Sequence, residues 1–134
     1  MKRQIRNGVF ESNSSSIHSI VLCMSSDYNK WCKGDLLLFD GYNGSYLGKN
    51  KPERNHFYTK EEAITFIKNS NYPPSKDFDC NDEDSVMKLL HEREWYDYDY
   101  YWDVYCENYE VFEETTKTPT GEGVVAFGYY GNDY

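Results

Sequence analysis

The sequence predicts a single α+β domain over residues 1–134: an antiparallel β-sheet made of a C-terminal meander and N-terminal strands, with two or three short helices on one face. Three observations support this. The 134 residues suit one domain, and 39% hydrophobic content is enough to fill its core. Two segments show helical apolar spacing behind capping residues. Five others are short β-branched, apolar or aromatic runs bounded by turn residues.

Ile17 to Cys23 is rich in branched side chains and predicts the first strand. Ser25 or Ser26 can cap a short helix through Trp31 and Cys32, with Gly34 as its stop. Leu36 to Phe39 is an apolar run that predicts a strand paired with the first, closed by Asp40 and Gly41. Residues 41–55 carry Gly41, Gly44, Gly48 and Pro52 and predict turns or a long loop. Thr59 and Glu62 form a capping box before the helical set Ala63, Ile64, Phe66 and Ile67, which ends near Asn69 and Ser70. Asp82 or Asp84 opens a second helix with Val86, Met87, Leu89 and Leu90 facing inward.

From Trp95 the pattern alternates. Tyr96, Tyr98, Tyr100 and Trp102 take the even positions, with Asp97, Asp99 and Asp103 among the odd ones. A period of two predicts a strand, with an aromatic face turned in and carboxylates about 6.6 Å apart on the other. Tyr109 to Thr116 and Gly123 to Tyr130 predict two more strands about the Thr118–Glu122 turn.

Charge is concentrated. Residues 77–114 hold fourteen acidic residues against Lys88 and Arg93, a local charge of −12, while the whole chain carries −9. Residues 1–60 are net positive, with nine Lys and Arg against five Asp and Glu. Phosphates are repelled by such a surface, so direct nucleic-acid binding is not expected; a basic protein surface or a cation is. Acid alone describes a solvated face or a disordered tail, but acid interleaved with Tyr and Trp describes a surface able to bury area. The candidate contact residues are Asp97, Asp99, Asp103, Glu107 and Glu110, with Tyr98, Tyr101 and Tyr105 as anchors on which arginines can stack.

No apolar run approaches the roughly 18 residues of a membrane helix. No apolar segment follows the basic start Met1–Gly8, so the expectation is a cytoplasmic protein with reduced thiols, as a monomer or small homo-oligomer. Cys23, Cys80, Cys106, His18 and His91 are candidate zinc ligands by residue type. No Cys-x-x-Cys or His-x-x-x-His spacing supports them, and strand alternation separates His18 from Cys23. The competing reading is buried thiols acting as small hydrophobes, with histidines on the surface. Asp77 to Asp82 imitates the start of a calcium loop but has Asp82 where glycine is required and Lys88 where the bidentate Glu belongs. Ser14, Ser15, Ser16 and His18 lack a nucleophile elbow, and local backbone bonding explains the hydroxyls.

The stretch Arg6-Asn7-Gly8-Val9-Phe10-Glu11-Ser12-Asn13-Ser14-Ser15-Ser16-Ile17-His18-Ser19-Ile20 resembles the opening of a family of small phage and mobile-element proteins from Gram-positive bacteria. Their pattern is R-N-G-V-F-E-x-N-S-S-S-x-H-S-I, with Thr more usual where Ser12 stands. Val124 to Gly131 also resembles that family, and the two motifs span about a fifth of the chain. Small acidic phage proteins of this kind include anti-CRISPR inhibitors of type II-A Cas9. By analogy of class, the resemblance implies a protein that occludes the basic channel of a Cas9-type effector and blocks loading of guide or target DNA, without catalysis. It also strengthens zinc as a cofactor, since His18 lies in the shared motif and one such inhibitor type is a metalloprotein. The alternatives are a metal-dependent hydrolase or nuclease using His18 and nearby acids, and a structural phage accessory protein.

Overall fold

Two branched, polar-flanked runs on either side of a tight turn build the centre of the larger sheet. The computed structural model describes residues 5–7, 16–41 and 51–132; side chains at 5–7, 16–18 and 132 are outside that description. β6 (Glu110–Lys117) and β7 (Gly123–Asn132) pair antiparallel from Glu110 opposite Tyr130 to Lys117 opposite Gly123. The turn closes through the Gly121 N–H donating to the Thr118 carbonyl at 2.9 Å and the Thr118 N–H donating to the Glu122 carbonyl at 2.8 Å. β2 (Ser16–Met24) lies antiparallel on the other side of β7, and β1 (Ile5–Asn7) lies parallel to β6, giving the order β1-β6-β7-β2.

β3 (Leu37–Phe39) does not pair with β2. It is the centre of a second sheet, between β4 (His56–Tyr58) and β5 (Trp95–Tyr96). This corrects the expected N-terminal strand pair. All three β3 residues are buried because the strand is covered on both faces: Leu38 enters one core cluster, Leu37 and Phe39 the other. The expected loop at 41–55 falls mostly on residues 42–50, outside the described residues.

The helices follow their sequence signals closely, with one exception at each end of the chain. α1 (Ser25–Lys33) is not capped by a serine; Met24 occupies the N-cap and gives no side-chain bond. Its stop is as expected: Gly34 takes the left-handed conformation (φ 91°), donating its N–H to the Trp31 carbonyl at 3.1 Å. α2 (Lys60–Lys68) has the full capping box, Glu62 N–H to Thr59 Oγ1 at 3.1 Å and Thr59 N–H to Glu62 Oε1 at 2.9 Å. α3 (Glu83–Glu92) is capped by Asp82 and buries Val86 and Leu90 against Ala63, Ile67 and Trp95.

The strand expected from Trp95 through Tyr105 is the main correction. Only Trp95 and Tyr96 are extended; Tyr98–Tyr105 is helix α4. The same tyrosines satisfy two periods. Tyr98, Tyr101, Trp102 and Tyr105 stand at i, i+3, i+4 and i+7, a helical stripe, and it is this set that turns into the core. Among the described residues, no helix is long and apolar enough to cross a membrane.

Trp31, fully buried, joins these parts. Its ring stacks on Phe127 of β7 at 4.8 Å and lies within 5.5 Å of Phe57, Tyr98 and Tyr101. Its Nε1–H donates to the Tyr96 carbonyl at 3.0 Å.

The β2–β7 pairing has one steric requirement. A Cβ at Gly128 would lie 1.9 Å from the Ser19 carbonyl oxygen, so only glycine lets the strands approach there. Gly128→Ala is therefore expected to cost about 3 kcal/mol or more in chemical denaturation. A loss below about 0.5 kcal/mol would contradict this close approach.

Candidate protein-binding surface

α4 lies within the acidic stretch 77–114, contributes Asp99 and Asp103 to it, and is held from behind. Its backbone is a regular helix, with the Tyr101 N–H donating to the Asp97 carbonyl at 3.0 Å and the Cys106 N–H to the Trp102 carbonyl at 2.9 Å. Tyr101 and Trp102 are fully buried, with Tyr98 and Tyr105 half-buried beside them. Asp99 and Asp103 therefore face solvent one turn apart, about 6 Å along the axis. Glu107, in the turn after the helix, and Glu110, at the start of β6, are exposed too.

These acids are not placed for the helix's benefit. Asp99 in the first turn suits the positive end of the helix dipole, but Asp103 at i+4 repels it, and Glu107 sits beyond the negative end. No basic residue occupies the last turn. Burial of the aromatic stripe outweighs this cost, since each ring removed from water contributes about 2 kcal/mol against a few tenths for a like-charge pair. Acids elsewhere have local structural roles. Asp82 caps α3, and the hydrogen bond from the Ser85 hydroxyl at 2.7 Å holds its carboxyl below the usual range. Glu83 pairs with Lys60 at 3.0 Å.

The candidate contact residues divide accordingly. Asp99, Asp103 and Glu107 are exposed on α4 and in the turn that follows, whereas Glu110 precedes core-facing Val111 and accepts the Tyr130 hydroxyl at 2.6 Å on the other face of the sheet. Asp97 turns away to His91, Oδ1 to Nε2 at 2.7 Å, where the imidazole stacks on Tyr100 at 3.8 Å. Tyr101, with no exposed surface, cannot serve as an anchor. Tyr105 faces inward, donating its hydroxyl to Asp40 Oδ2 at 2.7 Å and stacking on Tyr129 at 3.8 Å. Tyr98 is half-buried against Tyr28 and Trp31. The tyrosines thus position the acids, a consequence of the helical rather than extended backbone.

Asp40 is the residue that sequence reasoning missed. Followed by glycine, it looked like the closing turn of a strand. It is 1% exposed, and its carboxylate is the polar centre about which Tyr96, Tyr101, Tyr105 and Tyr129 gather. Arg54 Nε donates to its carbonyl at 2.9 Å. The hydrogen bond from Tyr105 ties the C-terminal turn of α4 to the end of β3. No signal short of the three-dimensional contact marks this role.

Among the described residues, the zinc candidates Cys23, Cys80, His91 and Cys106 are not brought together. Cys23 lies on β2 with its thiol directed to the Val125 carbonyl at 3.8 Å. Burial, then Asp27 and Cys32, pushes its pKa up to about 12. Cys80 is exposed in the loop before α3, His91 is engaged by Asp97, and Cys106 caps the end of α4. The His18 backbone pairs with Tyr130, and its side chain lies outside the described residues. Among the described residues, no three His, Cys, Asp or Glu side chains converge as a metal site.

Comparison with protein-family models, curated proteins and solved structures gives no match to this chain.

The buried tyrosines set a pH limit. Burial, reinforced by Asp40, raises the hydroxyls of Tyr96, Tyr101 and Tyr105, and burial raises those of Tyr28 and Tyr129. Raised folded-state values mean that the unfolded chain releases protons first, near pH ~10. Stability is therefore fully present below that pH and falls steeply above it. Tyrosinate absorbance at 295 nm, followed alongside circular dichroism, is expected to rise for these residues only as the fold melts. Titration of all fourteen tyrosines in a native protein would contradict this burial.

Proposed function

We propose that this chain is a non-catalytic binding protein that uses the acidic face of α4 against a basic, nucleic-acid-binding surface of a partner. One observation carries the reading: Asp99, Asp103 and Glu107 stand exposed on and just beyond a helix whose opposite side is locked into an aromatic core. The carboxylates are thus pre-arranged, and little side-chain or backbone order has to be gained on binding.

The charge supports it. A segment of −12 attracts Lys and Arg side chains that otherwise grip phosphates, and long-range attraction speeds the encounter. The mechanism is occlusion: a protein seated on the positive channel of a Cas9-type effector excludes guide RNA or target DNA stoichiometrically, with no bond made or broken. The resemblance of the N-terminal motif to phage and mobile-element proteins is what favours an effector of that class over other basic partners.

The test is a triple reversal, Asp99→Lys, Asp103→Lys and Glu107→Lys, assayed for binding to a type II-A Cas9 and for release of DNA-cleavage inhibition. Binding is expected to weaken by about 100-fold or more at low salt, with circular dichroism unchanged. Wild-type affinity should fall as salt rises, since the Debye length shrinks to about 8 Å at physiological ionic strength. Unchanged binding by the folded triple variant would remove this surface from the interface.

A further inference from the structure

Beyond β7, the larger sheet ends at the edge opposite β1. β2 is its terminal strand, nine residues from Ser16 to Met24, paired with β7 on one side only among the described residues. Edge strands of this length are normally guarded by charge, proline or a bulge. β2 has none of these: Ser16-Ile17-His18-Ser19-Ile20-Val21-Leu22-Cys23-Met24 contains no Lys, Arg, Asp, Glu or Pro, and its register with β7 runs unbroken.

The outward face beside this edge is apolar and open. Val21 and its partner Phe127 turn into the core, so Leu22 and Met24 turn away from it. Leu22 is 71% exposed and Met24 38%. Opposite them on β7 stand Ala126 and Val124, both partly exposed, with partly exposed Ile20 continuing the strip along β2. The opening is local, because Phe112 on the same face is 1% exposed.

We propose that β2 pairs antiparallel with β2 of a second copy of this chain, about a two-fold axis, to form a continuous eight-stranded sheet. Two features select a copy as the occupant. First, antiparallel pairing places opposed residues on the same face, so a two-fold joins the Ile20–Leu22–Met24 strips of both copies into one apolar patch. Second, a chain of net charge −9 repels its own copy at most surfaces, but β2 carries no charged side chain, so self-pairing opposes no like charges. The inference does not depend on the acidic-face reading; α4 lies over the opposite, core-facing side of the sheet, so a dimer leaves its acids exposed.

The test is sedimentation equilibrium of the wild-type protein and of Leu22→Lys, with circular dichroism as the check on folding. The wild type is expected at twice the chain mass of 15.9 kDa, and the folded Leu22→Lys variant at the chain mass itself. A wild type that stays monomeric across the concentration range overturns the proposal, as does a folded Leu22→Lys variant that remains dimeric. A monomeric wild type whose effector binding is lost in Leu22→Lys also overturns it and gives the edge to the partner instead. If Leu22→Lys fails to fold, amide exchange of wild-type residues 20–24 decides. Protection that falls on dilution supports pairing, and protection independent of concentration contradicts it.

Discussion

Burial of the Trp31 indole is the interaction on which the rest of the structure depends. The ring lies against β7 through Phe127, β4 through Phe57 and α4 through Tyr98 and Tyr101, and its N–H reaches the Tyr96 carbonyl between β5 and α4. Two small sheets that share no strand thereby meet on one side chain of the short helix α1, beside direct contacts such as Phe57 on Phe127. The smaller sheet has little area of its own, since β3 and β5 contribute only five residues between them. Removal of a buried tryptophan typically costs about 3–5 kcal/mol, a large part of the net stability of a domain this size. Here it would also release the back of α4.

That dependence explains how an acidic helix survives. The i,i+4 repulsion of Asp99 and Asp103 and the place of Glu107 beyond the negative end of the dipole work against α4, and its intrinsic propensity is weakened by its aromatic side chains. Packing compensates: the stripe Tyr98–Tyr101–Trp102–Tyr105 meets Trp31, Phe127 and Tyr129, and Asp40 fixes its last turn. The proposed interaction surface rests on this arrangement, in which charge that costs stability is held in place by packing. The proposed dimer would present two such faces on one side of a continuous sheet.

The chain announces its local structure more clearly than its long-range pairing. The Thr59–Glu62 box, the Asp82 cap, the Gly34 stop and the β6–β7 hairpin are short-range signals, and each appears where its residues stand. The partner of β2 was hidden because β-branched runs do not state which run they join; Gly128 decides it by admitting the Ser19 carbonyl. α4 was misread because a run in which nearly every second residue is aromatic fits a period of two and a period of 3.6 at once. The acids settle the choice: Asp99 and Asp103, four apart, share a helix face with no aromatic between them. Of the candidate site, the run of acids is legible from charge, whereas the inward role of Tyr101 and Tyr105 and the buried Asp40 depend on tertiary contact alone.

The central claim is that the negative charge stands on a rigid, aromatic-backed helix. Backbone carbon shifts and amide exchange of residues 98–105 in the isolated protein test it most directly. The account predicts helical shifts throughout this segment, with the Tyr101 and Trp102 amides exchanging only by global unfolding. Extended shifts, or amides that exchange as fast as a free peptide, would contradict it.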